Sequence, residues 1–320
     1  MNGGLLGGLP WFTAADMASR VPISTAIAAI EAVLKNGHDP AIDVPRTFVD
    51  TAHGQLIMMS AESDSRIGVK IASVAPKNPN RDLPRIQAIY LLMDSETMTP
   101  LALFDGAALT TLRTSAVSTL AAKYLSRENA TQFLLFGSGP QARGHLDAMR
   151  LIRTITHVTI VVKTQPNAEA LSRYVASLGL EARVLLAGDV PMVDQAVASA
   201  DLIVCATTSV SPVFDGRQVS NGACIIAIGS HEPRVREVDG ILVGRSTVIV
   251  EDQATALRES GDIIMAIEEG LFSSSSIFSI RDLVRDSSRV IDHSRPSLFK
   301  SSGMAWEDLA VAERVFRAGP

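Results

Sequence analysis

Residues 134–142 read LLFGSGPQA, an apolar run that leads into a glycine-rich turn. The segment QFLLF predicts a strand before the turn, and ARGHLDAMRLI predicts a helix after it. In that setting Gly137 permits a tight turn, Gly139 lets the backbone approach a pyrophosphate, and Ala142 lets helix and strand pack closely. The N–H groups that begin the helix would bind the phosphates. The turn therefore predicts dinucleotide binding, although a glycine bend after a strand also occurs without a ligand.

Apolar runs alternate with helical patterns throughout the chain after residue 130. The runs are HVTIVV, ARVLL, LIVCAT, ACIIAIG and TVIV. This rhythm is typical of a parallel sheet that is covered on both faces. Residues 44–104 differ, because short β-prone segments there are separated by turn signals, which indicates a mostly antiparallel unit. The spacing of apolar residues predicts helices over 21–37 and 106–125 and in the tail MAWEDLAVAERVFRAG.

The composition of the chain limits the kinds of partner and the cellular location that we expect. The net charge is −5 and no basic block occurs, so we expect no nucleic-acid partner. No apolar run reaches the roughly 18 residues that a membrane helix needs, and the N-terminal MNGGLLGGLPWF does not resemble a signal peptide. Cys205 and Cys224 lie in apolar runs without metal-ligand spacing. We expect buried thiols in a cytoplasmic protein that has no metal site.

The segment VVKTQPN follows the second strand of the parallel sheet, where a dinucleotide's ribose is usually bound. An acidic residue there favours NAD, whereas a basic residue accommodates the 2′-phosphate of NADP. Lys163 and Thr164 stand at this place, and no carboxylate does. We predict NADPH as the cofactor, with NADH possible. A solvated loop lysine is the alternative.

Two cations in apolar surroundings are candidate substrate ligands. Arg113 begins RTSAVSTLAAKYL in the helix before the parallel sheet, and an arginine fork binds a carboxylate in a bidentate way. Lys70 lies in RIGVKIAS, where Val69 and Ile71 occupy the opposite face of the strand. Burying an unpaired ammonium is costly, so Lys70 lies either on an exposed sheet face or in a cleft with a chemical role. For Arg113, a surface position on the helix is the alternative.

Four motifs together carry a family resemblance: GSGPQA, RTSAVS, VKIAS before an NP-containing loop, and AIGSHEP. The chain resembles the ornithine cyclodeaminase/mu-crystallin family from about residue 10 to the tail FKSSGMAWEDLA. The resemblance implies an α/β protein: a Rossmann-type doubly wound parallel sheet plus an α+β substrate and dimerisation domain. Residues 1–118 with the C-terminal helix 304–320 would form the substrate and dimerisation domain, and residues 119–303 the dinucleotide-binding domain. It further implies a homodimer that acts on amino acids, imines or 2-oxo acids.

The resemblance also assigns candidate site residues. The substrate would be bound by Arg46, Lys70 and Arg113, and Lys70 would take part in catalysis. A catalytic role of His231 is predicted on other grounds, because a histidine can supply or relay a proton near neutral pH. The cofactor would contact Thr114, Gly137, Ser138, Gly139, Pro140, Gln141, Ala142, Lys163, Thr164, Thr207, Ile228, Gly229 and Gly303.

Two positions depart from the family pattern. His231 stands where cyclodeaminases and alanine dehydrogenases of the family carry an aspartate, and Arg85 stands where cyclodeaminases need a threonine. A histidine serves the distal ammonium of ornithine poorly, whereas it could supply a proton to a cyclic imine. We therefore predict reduction of Δ1-pyrroline-2-carboxylate or Δ1-piperideine-2-carboxylate to L-proline or L-pipecolate. The alternatives are an ornithine cyclodeaminase, an alanine dehydrogenase, and a non-catalytic binding protein of the mu-crystallin kind. For His231, a helix-start or loop histidine without a chemical role is the alternative.

Overall fold

The structure is a computed structural model that describes residues 8–318. The chain divides into two compact units, which are described separately. The first consists of Met1–Val117 together with Met304–Pro320, and the second of Ser118–Gly303.

The chain contains fourteen strands and eleven α-helices within the described residues. The strands are β1 (Trp11–Phe12), β2 (Thr47–Thr51), β3 (Gly54–Glu62), β4 (Arg66–Val74), β5 (Ile86–Asp94), β6 (Pro100–Asp105), β7 (Gln132–Phe136), β8 (His157–Val162), β9 (Glu181–Leu186), β10 (Leu202–Cys205), β11 (Cys224–Ala227), β12 (Thr247–Val250), β13 (Ile277–Ser279) and β14 (Ser297–Lys300). The helices are α1 (Ala14–Arg20), α2 (Ile23–Lys35), α3 (Gly106–Leu125), α4 (Pro140–Met149), α5 (Gln165–Ser177), α6 (Val190–Ser199), α7 (Gly240–Arg245), α8 (Gln253–Glu259), α9 (Gly261–Glu268), α10 (Ile280–Arg285) and α11 (Ala305–Arg317).

The first unit is built on a six-stranded sheet with the order β1-β6-β5-β4-β3-β2. Strands β2 to β6 pair antiparallel, as the sequence pattern predicts, and only β1 joins its neighbour in parallel. Helix α2 begins after Pro22 and ends before Gly37. The φ of Gly37 is 102°, a value that glycine adopts far more readily than other residues. Helix α11 packs on β3, β4 and α2, so the end of the chain completes this unit.

Strand β4 buries a charged side chain and exposes an apolar one, which is the reverse of the usual pattern. Lys70 is 3% exposed, and its neighbours in register, Met59 and Tyr90, are buried on the same face. Ile71 points to the other face and is 40% exposed. The covered face of the sheet therefore holds a cation, and the open face is apolar.

The second unit is built on an eight-stranded sheet with the order β13-β12-β14-β11-β10-β7-β8-β9. Every pair in it is parallel, which confirms the predicted Rossmann-type sheet. Strands β10, β11, β12 and β14 are buried along their whole length, because both faces of the sheet are covered. Strands β8 and β10 lie on opposite sides of β7, so the strand order reverses there. Ligands of such sheets bind at the carboxyl edge beside that reversal.

No single helix in the described part of the chain is long and apolar enough to cross a membrane. Helices α1 and α2 pass that test only as a pair bent by 75°.

Candidate functional site

The turn after β7 is tightly built into the second unit. Gly137 has a φ of 104°, and its N–H donates to the carbonyl of Val161 at 3.0 Å. A Cβ at this position would lie 2.4 Å from the carbonyl oxygen of Ala206, which follows β10. The fold itself therefore requires glycine at 137, where the ends of β7, β8 and β10 meet.

Gly139 is not required by the fold. Its φ is −76°, which any residue adopts, and no atom lies within 4 Å of the place its Cβ would occupy. Helix α4 begins at the next residue, and within residues 8–318 no acceptor is found for the N–H groups of Gly139, Gln141 and Ala142. A surface that lacks a side chain, beside N–H groups at a helix N-terminus, suits a phosphate group.

The position predicted to bind the ribose lies directly after β8. Lys163 and the four residues after it are exposed, and none of the five is acidic. Thr164 precedes α5 and makes no side-chain capping bond to it. This arrangement is compatible with a 2′-phosphate ligand and also with a solvated lysine.

Buried carboxylates hold the other loops of the same sheet edge. Glu237 accepts hydrogen bonds from the N–H of Thr207 at 2.7 Å and of Gly229 at 2.6 Å. Glu251 accepts from the N–H of Gly303 at 2.8 Å. Three residues that were predicted to contact the cofactor therefore use their N–H groups internally. They can border a cofactor, but they do not offer it those donors.

A buried lysine balances this group of carboxylates. Lys300 ends β14, and its Nζ lies 3.3 Å from Oδ2 of Asp262 and donates to the carbonyl of Ser230. Asp262 in turn accepts from the N–H of Glu237 at 2.7 Å. Burial raises the pKa of Glu237, and the charge of Lys300 opposes that rise.

Residues 228–231 follow β11 and border this cluster. Ile228 and His231 are both partly exposed, and Ser230 is buried, with its hydroxyl donating to the carbonyl of Val235. The catalytic role of His231 stays a prediction.

The first unit holds a compact group of opposite charges. Oδ2 of Asp308 lies 2.6 Å from Nζ of Lys70, and Oδ1 accepts from Nε of Arg113 at 3.2 Å. Oε2 of Glu307 lies 2.7 Å from Nη1 of Arg113. Both carboxylates are fully buried, and the two cations are at most 5% exposed.

The surroundings of the Lys70 ammonium lower its pKa. Burial lowers its pKa from the ordinary 10.5 to about 8, and the charges of Arg113 and Arg46 act in the same direction. Asp308 opposes the shift, and Thr110 Oγ1 accepts a hydrogen bond from the ammonium at 3.3 Å. A group with this pKa can exchange a proton near neutral pH.

The structure thus brings the predicted residues Lys70 and Arg113 together and leaves Arg46, which is partly exposed, within electrostatic range of Lys70. The alternatives of an exposed sheet face for Lys70 and a surface helix position for Arg113 are wrong. Thr114 is buried next to Arg113 in α3. Glu307 and Asp308 were not predicted from the sequence. The sequence contained one signal for these carboxylates: two cations in apolar elements need buried negative charges as partners.

Among the described residues, no group of three or more His, Cys, Asp or Glu side chains is arranged to hold a metal ion.

The sequence profile of the ornithine cyclodeaminase/mu-crystallin family matches residues 12–318. A Δ1-pyrroline-2-carboxylate reductase of Bacillus cereus is 33% identical over 274 residues, which is 84% of this chain and 82% of that protein. The ketimine reductase mu-crystallin of Rattus norvegicus is 31% identical over 92% of this chain and 91% of its own length.

Among solved structures, Thermococcus litoralis Δ1-pyrroline-2-carboxylate reductase in complex with NADH and L-proline superposes with a TM-score of 0.87. It is 28% identical, and the match covers 97% of both chains.

The two glycines of the β7 turn provide a matched pair of variants. Gly139→Ala should leave thermal unfolding unchanged and weaken NADPH and NADH binding about tenfold or more, because a Cβ would separate the backbone from the pyrophosphate. Gly137→Ala should destabilise the protein by about 1–3 kcal/mol, because φ is positive and Ala206 is close. Calorimetric unfolding and fluorescence titration with each nucleotide measure both effects. Unchanged nucleotide affinity in Gly139→Ala would show that no pyrophosphate lies on this turn.

Proposed function

The chain belongs to the ornithine cyclodeaminase/mu-crystallin family, and on that basis we propose that it is an oxidoreductase that reduces cyclic ketimines. The substrates are Δ1-pyrroline-2-carboxylate and Δ1-piperideine-2-carboxylate, and the products are L-proline and L-pipecolate. The reductant is NADPH, with NADH possible. The observation that carries this proposal is the buried pair of Lys70 and Arg113, which two carboxylates hold in place.

The charges of this group suit a substrate with a carboxylate. Lys70 and Arg113 pair with Glu307 and Asp308, and Arg46 is a third cation within electrostatic range of Lys70. In a poorly solvated site, nearby cations favour the ionised form of a carboxylate. A 2-carboxylated cyclic imine carries its carboxylate on the carbon of the reacting C=N bond.

The residues at the carboxyl edge of the parallel sheet fit a dinucleotide. Gly139 leaves room for a pyrophosphate, and the N–H groups of Gln141 and Ala142 would donate to it. Ser138 and Pro140 complete the turn, and Thr207, Ile228, Gly229 and Gly303 would border the rest of the cofactor. The bound nicotinamide would supply a hydride.

The protein's own contribution is charge, orientation and a proton. Reduction forms a C–H bond at the imine carbon, moves the C=N π electrons onto nitrogen and requires one proton there. Arg113, with Arg46, orients the substrate carboxylate, and the Lys70 ammonium donates a hydrogen bond or the proton to the substrate. His231 is the second candidate for supplying or relaying the proton.

The preference for NADPH rests on Lys163. This lysine is exposed directly after β8, and the segment from 163 to 167 offers no carboxylate to bind a 2′-hydroxyl. A cation there pairs with the additional phosphate of NADPH.

A homodimer through the open face of the first sheet accounts for the inverted pattern of β4. Met58, Ile71 and Ile89 stand in register on β3, β4 and β5, and their exposures are 38%, 40% and 46%. Trp11 on β1 and Leu56 on β3 add exposed apolar surface. Contiguous apolar surface of this kind is typical of a protein interface, and a second copy of the chain offers the same face.

We also infer a cytoplasmic location. Cys205 and Cys224 are buried and free, and burial raises the pKa of the Cys224 thiol to about 12. Inert, unpaired thiols are typical of proteins in a reducing compartment.

Cofactor oxidation with defined substrates tests the proposed reaction. The purified protein should oxidise NADPH rapidly with one or both cyclic imines, and slowly or not at all with pyruvate plus ammonia. L-Ornithine with NAD should release no ammonia. Ammonia release from ornithine would instead identify a cyclodeaminase, and preferential use of pyruvate plus ammonia an alanine dehydrogenase. Nucleotide binding without turnover of any of these substrates would favour the binding-protein alternative.

Lys163→Ala tests the cofactor preference. It should raise the KM for NADPH about tenfold and leave the KM for NADH nearly unchanged, because only NADPH carries the 2′-phosphate. Lys77→Ala, which removes an exposed lysine of the other unit, is the matched control. Equal effects on the two nucleotides would refute the phosphate contact.

Ile71→Glu tests the dimer. A carboxylate in the centre of the apolar face should convert the protein to a monomer at micromolar concentration, because the charge would have to be buried in the interface. Light scattering should give about twice the 34.0 kDa chain mass for the wild type and the single mass for the variant. Leu151→Glu, at a residue 53% exposed in the second unit, should stay dimeric. A monomeric wild type or a dimeric Ile71→Glu would contradict the assignment of this face.

A further inference from the structure

Asp308 is the one carboxylate within the described residues that contacts both Lys70 and Arg113. Its Oδ2 lies 2.6 Å from Nζ of Lys70, and its Oδ1 lies 3.2 Å from Nε of Arg113. Lys70 lies in β4, Arg113 in α3 and Asp308 in the first turn of α11. A single buried side chain thereby links three separate elements of the first unit.

We propose that Asp308 is a positioning residue for imine reduction, which holds the Lys70 ammonium and the Arg113 guanidinium in one arrangement and keeps Lys70 protonated. This inference rests on the proposed function of the same site. It assigns to Asp308 no contact with the substrate. Asp308 acts through the two cations that make that contact.

The surroundings of the ammonium explain why Asp308 has this effect. The groups that face it are Asp308 from α11, Arg113 and Thr110 from α3, Arg46 from the segment before β2, Tyr90 from β5 and Met59 from β3. Burial raises the pKa of Tyr90 well above its ordinary value, so its phenol stays neutral. Asp308 is therefore the carboxylate that stabilises the ammonium, whereas Arg46 and Arg113, the latter also bonded to Glu307, destabilise it.

Removal of that charge changes the proton affinity of Lys70 in a known direction. Without Asp308 the ammonium would be buried beside Arg113 and Arg46 without the carboxylate that pairs with it, and its pKa would fall further below the present value of about 8. If the ammonium is the active form, kcat/KM of the wild type falls as pH rises through about 8. In Asp308→Asn the same fall occurs at lower pH.

The decisive experiment is the pH profile of imine reduction by Asp308→Asn beside that of the wild type. The alkaline limb of kcat/KM should move down by about one pH unit. The KM for the imine should rise several-fold, and the Kd for NADPH should stay unchanged. Both proteins are assayed with the same substrate, so protonation of the substrate affects the two pH profiles equally and does not contribute to the difference between them. A lower kcat/KM with an unmoved limb would overturn the proposal, since a merely structural residue has that effect.

Two carboxylates of the same helix serve as controls. Glu307→Gln weakens a contact to Arg113, so it should raise the KM for the imine while moving the alkaline limb much less than Asp308→Asn does. Glu313→Gln removes a carboxylate that bonds Ser63 and Arg317, and it should change neither quantity. Equal shifts of the limb in all three variants would contradict a specific role of Asp308.

A second variant covers the case in which Asp308→Asn does not fold. Asp308→Glu keeps the charge and displaces the carboxylate by one carbon, so the alkaline limb should stay in place while the KM for the imine rises several-fold. An unchanged KM would show that the position of this carboxylate is unimportant.

A measurement without substrate separates this inference from the proposed function. In protein labelled with [13C]lysine, the Cε resonance of Lys70, identified with Lys70→Arg, should titrate near pH 8 in the wild type and lower in Asp308→Asn. If the shift is present but no imine is reduced, the substrate proposal fails and the positioning role stands. If imines are reduced and neither the resonance nor the alkaline limb moves, Asp308 has no such role.

Discussion

Two buried cations in the first unit need buried counter-charges, and the C-terminal helix brings them. Lys70 and Arg113 lie in elements from the first 125 residues of the chain, whereas Glu307 and Asp308 lie near its end. Breaking a buried ion pair by removing one partner costs about 3–5 kcal/mol. This constraint explains why α11 returns to the first unit after the parallel sheet is complete. A chain that ended before α11 would leave both cations without these partners.

The same principle organises the carboxyl edge of the parallel sheet. Glu237, Glu251 and Asp262 accept N–H groups from the loops after β10, β11 and β14, and Lys300 balances part of their charge. These loops are therefore held by internal bonds before any ligand binds. The β7 turn differs, because its N–H groups at the start of α4 find no acceptor among the described residues. The loops after β10, β11 and β14 thus use these N–H groups internally, whereas those of the β7 turn are available for the dinucleotide that we propose.

The sequence predicts most of the architecture where apolar periodicity is strong. Helix α3 and strands β7, β8 and β12 have the predicted bounds. Strand β14 escaped prediction because its apolar run consists only of Leu298 and Phe299, and β1 and β13 are too short to show a period. Sheet order and pairing across the chain depend on contacts that no local pattern encodes.

The site was predictable only in part, for a related reason. Lys70 and Arg113 stand out as cations in apolar segments, but Glu307 and Asp308 resemble the solvated face of an amphipathic helix. In the structure that face is buried. Ile71 shows the opposite case, since an apolar residue that a pattern assigns to the core is exposed on the sheet. Both inversions coincide with the places where we propose ligand binding and self-association.

Isotope transfer from the cofactor gives the most direct test of ketimine reduction. NADPH deuterated at C4 of the nicotinamide, prepared as each of the two epimers, would be turned over with Δ1-pyrroline-2-carboxylate and with Δ1-piperideine-2-carboxylate. Mass spectrometry of the product should find one deuterium, at the carbon that bears the carboxylate, from one epimer and none from the other. An absence of labelled L-proline and L-pipecolate with both epimers would contradict direct hydride transfer to the imine carbon.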